Sequence, residues 1–174
     1  MQIRPATSLD APSIAALHAA SWRYAYRGAM SDEYLAGDVV ADRLSVWTER
    51  LGTPNEHQYV AVAEANDQIV GFACAYANDH PQWGSLLDNI HINQSFQRAG
   101  VGTRIMRSVA AWCVAVAPQV PLYLWVLETN VDAQAFYRNF GAAEVGHDVW
   151  VPPGGGAVRR CRIAWDSPDA LIQR

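Results

Sequence analysis

The residues of this chain best placed to do chemistry are Gln97-Arg98-Ala99-Gly100-Val101-Gly102, followed at once by Thr103 and Arg104. Two glycines one residue apart let a backbone come close to a ligand, because no Cβ stands in the way. Before the turn, Leu86-Leu87-Asp88-Asn89-Ile90-His91-Ile92 alternates as a strand does. After it, Ile105, Met106, Val109, Ala110, Cys113 and Val114 recur at helical spacing between Thr103 and Ala117. The opening amides of a helix have no partner inside it, and the helix dipole adds partial positive charge at the same end. A strand, a glycine turn and a helix in that order make a seat for a phosphate. The spacing is neither the Gly-x-Gly-x-x-Gly of dinucleotide folds nor the Gly-Lys-Ser/Thr loop of ATPases. A purely structural strand-to-helix turn fits the same residues.

The elements that must hold this turn are legible on both sides of it. Ile3-Arg4-Pro5-Ala6 predicts a first strand. Asp10 is placed to cap a helix with Pro12 in its first turn and with Ile14, Leu17, His18 and Ser21 on one face. Gly28 stops the stretch that begins at Trp22. A second helical region spans about residues 32–51 with a break at Gly37-Asp38, and 52–55 is a loop. Strands over 58–63 and 69–77 join through polar residues as a hairpin, and 79–84 is a loop. Pro121 opens Leu122-Tyr123-Leu124-Trp125-Val126-Leu127, the continuous apolar run of a strand buried on both faces. Residues 130–140 predict a short helix closed by Gly141. Two last strands, 143–151 and 158–165, flank Pro152-Pro153-Gly154-Gly155-Gly156, and the tail from Asp166 to Arg174 reads as peripheral. The order β-α-α-β-β-β-α-β-α-β-β, unbroken by repeat or linker, predicts one mixed α/β domain over residues 1–174.

Composition narrows the classes. With 174 residues, 51% of them hydrophobic and 17% charged, the chain can bury a full core and is not a disordered one. No apolar run is long enough to span a bilayer and Met1–Asp10 lacks a signal-peptide core, so a cytoplasmic protein without a membrane partner is expected. Cys74, Cys113 and Cys161 are odd in number and form no Cys-x-x-Cys pair, which argues against a disulfide framework and against a metal site. A net charge of −4 without a basic run disfavours nucleic acid and favours a cationic partner such as an amine. Pairing of the last strands with a second copy, giving a homodimer, stays open.

The order of elements and three segments resemble the GCN5-related N-acetyltransferase family, from Ile3 to about Trp165. The glycine turn matches its Gln/Arg-x-x-Gly-x-Gly/Ala signature. The stretch from Asn130 through Ala133, Phe136 and Tyr137 to Gly141 is similar to its Asn-x-x-Ala-x-x-Phe-Tyr-x-x-x-Gly-Phe segment, with Ala142 in place of the last Phe. Ser21–Gly28 is similar to the substrate-side helices of many small members. The resemblance implies a central mixed, mostly antiparallel sheet with helices on both faces. It implies transfer of the acetyl group of acetyl-CoA to an amine, free or on a peptide or protein, by direct attack in a ternary complex. The strands ending at Ile92 and Leu127 would splay, and the pantetheine arm would pair with the backbone of Ile90, His91 and Ile92. Amides and side chains from Gln97, Arg98, Ala99, Gly100, Val101 and Gly102 through Thr103 and Arg104 would hold the pyrophosphate. Asn130 would bond the arm as well as cap its helix, with Phe136 and Tyr137 beside it.

Tyr137 lies seven residues after Asn130, two turns on and on the same face. The resemblance sets it near the thioester sulfur, where a phenol of pKa about 10 can donate to a thiolate whose thiol has a pKa of about 8.5. Some relatives use a Glu on the preceding strand as base; Trp125 stands at that position here, so the role does not carry over. Glu128, His91 and Asp88 are the substitutes, with a water chain as a further route. His91 has a suitable intrinsic pKa, although strand alternation turns it toward the core. Trp22, Tyr24 and Tyr26, with the loops at 79–84 and 152–156, are expected to wall the acceptor pocket. Trp125 in place of an acid also leaves open a CoA-binding module without turnover, acting as a sensor or interaction partner.

Overall fold

The computed structural model describes residues 1–53, 55–153 and 155–172. In chain order the elements are β1 (Gln2–Pro5), α1 (Ala11–Ala25), α2 (Asp32–Ala36), α3 (Val39–Gly52), β2 (Gln58–Ala65), β3 (Gln68–His80), β4 (Gly84–Ile92), α4 (Val101–Val116), β5 (Leu122–Leu127), α5 (Val131–Asn139), β6 (Ala143–Trp150), β7 (Val158–Trp165) and α6 (Asp169–Ile172). The strands form one sheet in the order β1-β2-β3-β4-β5-β7-β6. Every neighbouring pair is antiparallel except β4 and β5, which run parallel. None of the described helices is long and apolar enough to cross a membrane.

Period-two alternation divides the core between the two sheet faces. Leu122, Leu124 and Val126 of β5 and Cys161, Ile163 and Trp165 of β7 pack with Ile105, Met106 and Val109 of α4. On the other face, Ile14, Ala15 and Leu17 of α1 and Trp47 of α3 cover Val60, Val62, Phe72 and Cys74. The intervening residues Tyr123, Trp125, Arg160 and Arg162 point to that second side, beyond the strands covered by α1 and α3. All three cysteines are buried and free.

The decisive feature is a short pairing. β4 meets β5 only from Ser85–Leu122 to Leu87–Leu124. At the next residue the β3–β4 register shifts: Cys74 pairs with Asn89 and Ala75 with Leu87, leaving Asp88 as the extra residue of a bulge. A bulge bends its strand and increases local twist, and here it does so where β4 leaves β5. The starts of the two strands are drawn together by Gly84 (φ +73°), where a Cβ would lie 2.2 Å from the carbonyl oxygen of Pro121. The Ser85 amide donates to that oxygen at 2.9 Å.

Several expectations are corrected. The β2–β3 strands run longer than 58–63 and 69–77, because only Asn66 (φ 51°) and Asp67 (φ 59°) make the turn; two left-handed residues are the signature of a type I′ hairpin. The loop expected over 79–84 shrinks to residues 81–83, since Asp79 and His80 belong to β3. Asp10 stands at the N-cap position of α1 as expected, but its side chain makes no capping bond; its backbone is helical and its carboxylate accepts from the Thr7 amide (2.7 Å) and from Arg4 (2.8 and 2.9 Å). The tail is not peripheral, for α6 seats Leu171, fully buried, in the α4 core. Gly154, in the predicted turn-rich loop, and residues 173–174 lie outside the described residues.

Leu171→Ala should therefore cost about 2–5 kcal/mol in denaturant unfolding, the range of a buried leucine that leaves a cavity. A loss within experimental error would return the tail to the periphery.

Candidate active site

Beyond Leu87 the gap between β4 and β5 widens into a cleft of about 440 Å³. Asp88, Asn89, Ile90 and His91 form one wall, Trp125, Val126 and Leu127 the other, and Asn130, Ala133 and Tyr137 close the end toward α5. The edges of β4 and β5 that face this space carry main-chain donors and acceptors without a ladder partner. An extended ligand can be taken up between such edges as an added strand.

The glycine turn lies at the head of α4, just past the end of β4. Arg98 (φ 61°) and Gly100 (φ 77°) are both left-handed, the kind of backbone alternation from which anion-binding nests are made. The first bond of α4 runs from the Arg104 amide to the Gly100 carbonyl, 3.1 Å. The amides of Val101, Gly102 and Thr103 precede it, and no side chain caps them. Gln97, Arg98, Ala99, Gly100 and Arg104 are exposed, while Thr103 is half-buried. Neither Arg98 nor Arg104 has a carboxylate partner among the described residues. A Cβ on Gly102 would stand 3.4 Å from Phe136 Cζ and 3.9 Å from Ile92 Cγ1, so that glycine lets the turn sit close to α5 and to the end of β4. Phe136 thus reaches the turn from behind rather than from the cleft lining.

Asn130 caps α5, its side chain accepting from the Ala133 amide at 3.1 Å, and it also lines the cleft. Tyr137 is 7% exposed. Its ring lies edge-on to Trp165 (6.0 Å) and Phe136 (5.4 Å), and no side chain among the described residues hydrogen-bonds its hydroxyl. Burial pushes the phenol well above its ordinary pKa of 10.0, so it stays protonated and able to donate across the neutral range.

The far side of the cleft is aromatic and basic. Trp22, Tyr26 and Trp150 meet with ring centroids 5.5 to 6.3 Å apart. Burial raises the Tyr26 phenol to about 12. The β6–β7 loop brings Pro153 to the lining and is held against the turn after α1, where a Cβ on Gly156 would meet the Ala29 carbonyl oxygen at 2.8 Å. Three guanidinium groups, those of Arg43, Arg50 and Arg160, line the cleft with one carboxylate, Asp88. Arg50 donates to Asp88 at 2.8 Å, and Asn89 donates to the same oxygen at 2.5 Å. The chain's net negative charge therefore does not describe this cleft, and the cationic partner it favours meets a lining with excess positive charge.

The proposed catalytic and substrate residues fall in different places. Glu128 is not in the lining; its carboxylate accepts from Arg159 Nε (2.7 Å) and pairs with His147 Nδ1 (2.9 Å), which hold it below the usual range. His91 has its ring against His18 (4.5 Å) and Phe72 (5.2 Å), and burial with nearby Arg43 lowers it from 6.5 to about 4. It is neutral at pH 7 but a weak base, which corrects the expectation from its intrinsic pKa. Trp22 and Tyr26 line the cleft; Tyr24 does not, being 71% exposed. The loop expected at 79–84 does not wall the cleft, for none of its residues is in the lining; Trp83 instead has Arg162 4.8 Å from its ring. Arg43, Arg50, Arg160, Arg162 and Trp150 escape the sequence reading. The available signals were Arg43 and Arg50 seven apart on one helical face, and Arg160 and Arg162 two apart on one strand face. Among the described residues no cluster of three or more His, Cys, Asp or Glu side chains could hold a metal ion.

A sequence profile of the acetyltransferase (GNAT) family matches residues 14–142. The probable N-acetyltransferase Rv2775 of Mycobacterium tuberculosis is 27% identical over 143 residues, spanning 79% of this chain and 77% of that protein. Among solved structures, a GCN5-related N-acetyltransferase from Rhodopseudomonas palustris has a TM-score of 0.74 at 19% identity, over 94% of this chain and 93% of that one. The paia N-acetyltransferase from Thermoplasma acidophilum, in complex with coenzyme A, has a TM-score of 0.67 at 15% identity, over 91% and 96%. At these identities the two solved structures speak to the fold alone.

The paired imidazoles set a pH dependence. His18 is also held well below 6.5, chiefly by burial and then by His91. For both rings the folded state binds a proton less readily than the unfolded one, so stability falls as pH drops from 6.5 toward about 4. His91→Asn should make that decline shallower than in the wild type when unfolding is followed at pH 7, 5.5 and 4.5. Parallel declines would contradict it.

Proposed function

The chain belongs to the acetyltransferase (GNAT) family, and from that premise we propose that it transfers the acetyl group of acetyl-CoA to a primary amine by direct attack. One observation carries the reading: uncapped amides at the head of α4 lie next to the end of β4, whose edge parts from β5 to open a cleft that reaches a buried tyrosine with no side-chain hydrogen-bond partner among the described residues. Acetyl-CoA supplies the activated acyl group. The amides of Val101, Gly102 and Thr103, with the turn from Gln97, fit its diphosphate. The backbone of Ile90, His91 and Ile92 fits the amides of its arm, and a main-chain N–H there polarises the thioester carbonyl. The complex of a relative from Thermoplasma acidophilum with coenzyme A supports the same ligand class.

In the transfer, the amine nitrogen attacks the thioester carbon, the new C–N bond forms and the C–S bond breaks. Tyr137 gives its proton to the departing sulfur and recovers one from solvent. The proton shed by nitrogen leaves through cleft water, because Glu128 is held by Arg159 and His147 and His91 is a weak base. The buried cysteines supply no acyl-enzyme: burial raises the thiols of Cys74 and Cys113, to about 12 and about 11. A second reading, a CoA-binding protein without turnover, is favoured by Trp125 standing where some relatives carry an acid. Thiol release from acetyl-CoA in the presence of amines separates the two.

Tyr137→Phe should lower kcat on the order of 10²-fold, the lower end of the usual contribution of a general acid, and leave acetyl-CoA affinity by calorimetry unchanged. An unaltered kcat would remove the acid role.

A further inference from the structure

Among the described residues, four buried side-chain nitrogens have no hydrogen-bond partner: His18 Nε2 and the Nε atoms of Arg43, Arg160 and Arg162. All four are donors. A guanidinium Nε always carries hydrogen. Trp47 Nε1–H donates to His18 Nδ1 at 3.0 Å, which leaves the His18 proton on Nε2. All four also gather about the same side of the cleft. Arg43, 8% exposed, and Arg160 line it. Arg162 and His18 are outside the lining but touch lining rings, Arg162 at 4.4 Å from Trp125 and His18 at 4.7 Å from Trp22. A buried donor without an acceptor is rare in folded proteins and calls for a cause. Here the orphans are of one sign and in one place; each guanidinium lies over a tryptophan ring, Arg43 over Trp22 at 4.3 Å, and what the cluster lacks is an acceptor of hydrogen bonds.

Charge gives the same answer. Asp42 and Asp148 each hold one arginine of the set, Arg43 at 2.9 Å and Arg160 at 2.7 Å, and Asp88 holds the neighbouring Arg50 at 2.8 Å. Arg162 has no carboxylate partner among the described residues and is held by rings, those of Trp125, Trp83 (4.8 Å) and Tyr123 (5.7 Å). Trp125 has Arg160 at 4.2 Å as well. Its negative face is already committed to guanidinium groups and is not free for an ammonium. A bare amine would bring only more positive charge. A carboxylate would bring two acceptor oxygens in the planar geometry that a guanidinium fork matches.

We propose that the acetyl acceptor is an amine bearing a carboxylate on the same molecule, an amino acid with an apolar or aromatic side chain, whose carboxylate is bound by Arg43 and Arg160, the two orphaned arginines that line the cleft, with Arg162 stacked on Trp125 beside Arg160. Trp22, Tyr26 and Trp150 form the wall for its side chain. Polyamines and amino sugars are excluded as preferred acceptors. This inference rests on the acetyl-transfer reading above.

The test compares matched acceptors with acetyl-CoA by thiol release: L-phenylalanine, its methyl ester and phenethylamine; L-leucine, its methyl ester and 3-methylbutylamine. The expected result is a kcat/KM for the free acids roughly tenfold or more above their partners, the scale of a hydrogen bond to a charged group. The ester has the less basic amine and so more free base at neutral pH, which biases the comparison against the proposal. Arg160→Gln should bring the acid-to-ester ratio toward one by raising KM for the acid, and Arg160→Lys should restore part of it. Coenzyme A affinity, measured on each variant, certifies its fold. Equal or better turnover of esters and decarboxylated amines overturns the proposal. An unchanged ratio in Arg160→Gln, or no turnover of any of the six by protein that binds coenzyme A, overturns it as well. Wild-type protein that binds no coenzyme A overturns the acetyl-transfer reading beneath it.

Discussion

Two parallel strands that pair for three residues and then part are the constraint on which the rest of the molecule depends. β4 and β5 share only the Ser85–Leu87 register before they diverge. The opening is not fraying, because each strand is held along its other edge throughout. β3 pairs with β4 as far as Gly71–Ile92, and β7 pairs with β5 as far as Leu127–Arg160. The bulge at Asp88 supplies the bend, and the close approach allowed by Gly84 fixes the hinge end. Main-chain groups that would complete a ladder in a regular sheet are thus presented to one side of the cleft, with Tyr137 and Asn130 at its α5 end.

The two ends of the cleft use different physics. Toward α4 the groups on offer are backbone: amides ahead of the first helical bond, set by left-handed Arg98 and Gly100. Such a site depends on glycine and on the helix end and needs few particular side chains. Toward α1, α3 and β7 the elements are side chains brought from distant segments, with Trp22, Arg43, Trp125, Trp150 and Arg160 meeting only in the fold. The close approach of Gly156 to Ala29 ties the β6–β7 loop to the turn after α1 and holds that assembly together. A chain with an excess of acidic residues overall can in this way present a locally positive surface.

What could be read from the sequence was what is local or periodic. The glycine turn, the α4 stripe from Ile105 to Cys113 and the apolar β5 run each carry their structure within a few residues, and all three stand as expected. The break at Gly37-Asp38 likewise separates α2 from α3. What could not be read was set by tertiary pairing. Nothing near Glu128 in sequence shows that Arg159 and His147 will claim it. Nothing near Leu171 shows that a four-residue helix will dock on α4. Tyr24 lies between Trp22 and Tyr26 in the aromatic segment, yet the helical period turns it to solvent. The arginines of β7 alternate correctly, but alternation names a face without saying that Trp125 and the cleft lie beneath it.

The central claim, that backbone groups at the head of α4 and along the open edge of β4 receive coenzyme A, is tested most directly by following the amide resonances of the ¹⁵N-labelled protein as coenzyme A is added. The account predicts that Val101, Gly102, Thr103 and residues 90–92 move first and furthest, with exchange of their amide protons slowed in the complex. Shifts confined to other surfaces, with these amides unchanged at saturation, would contradict it.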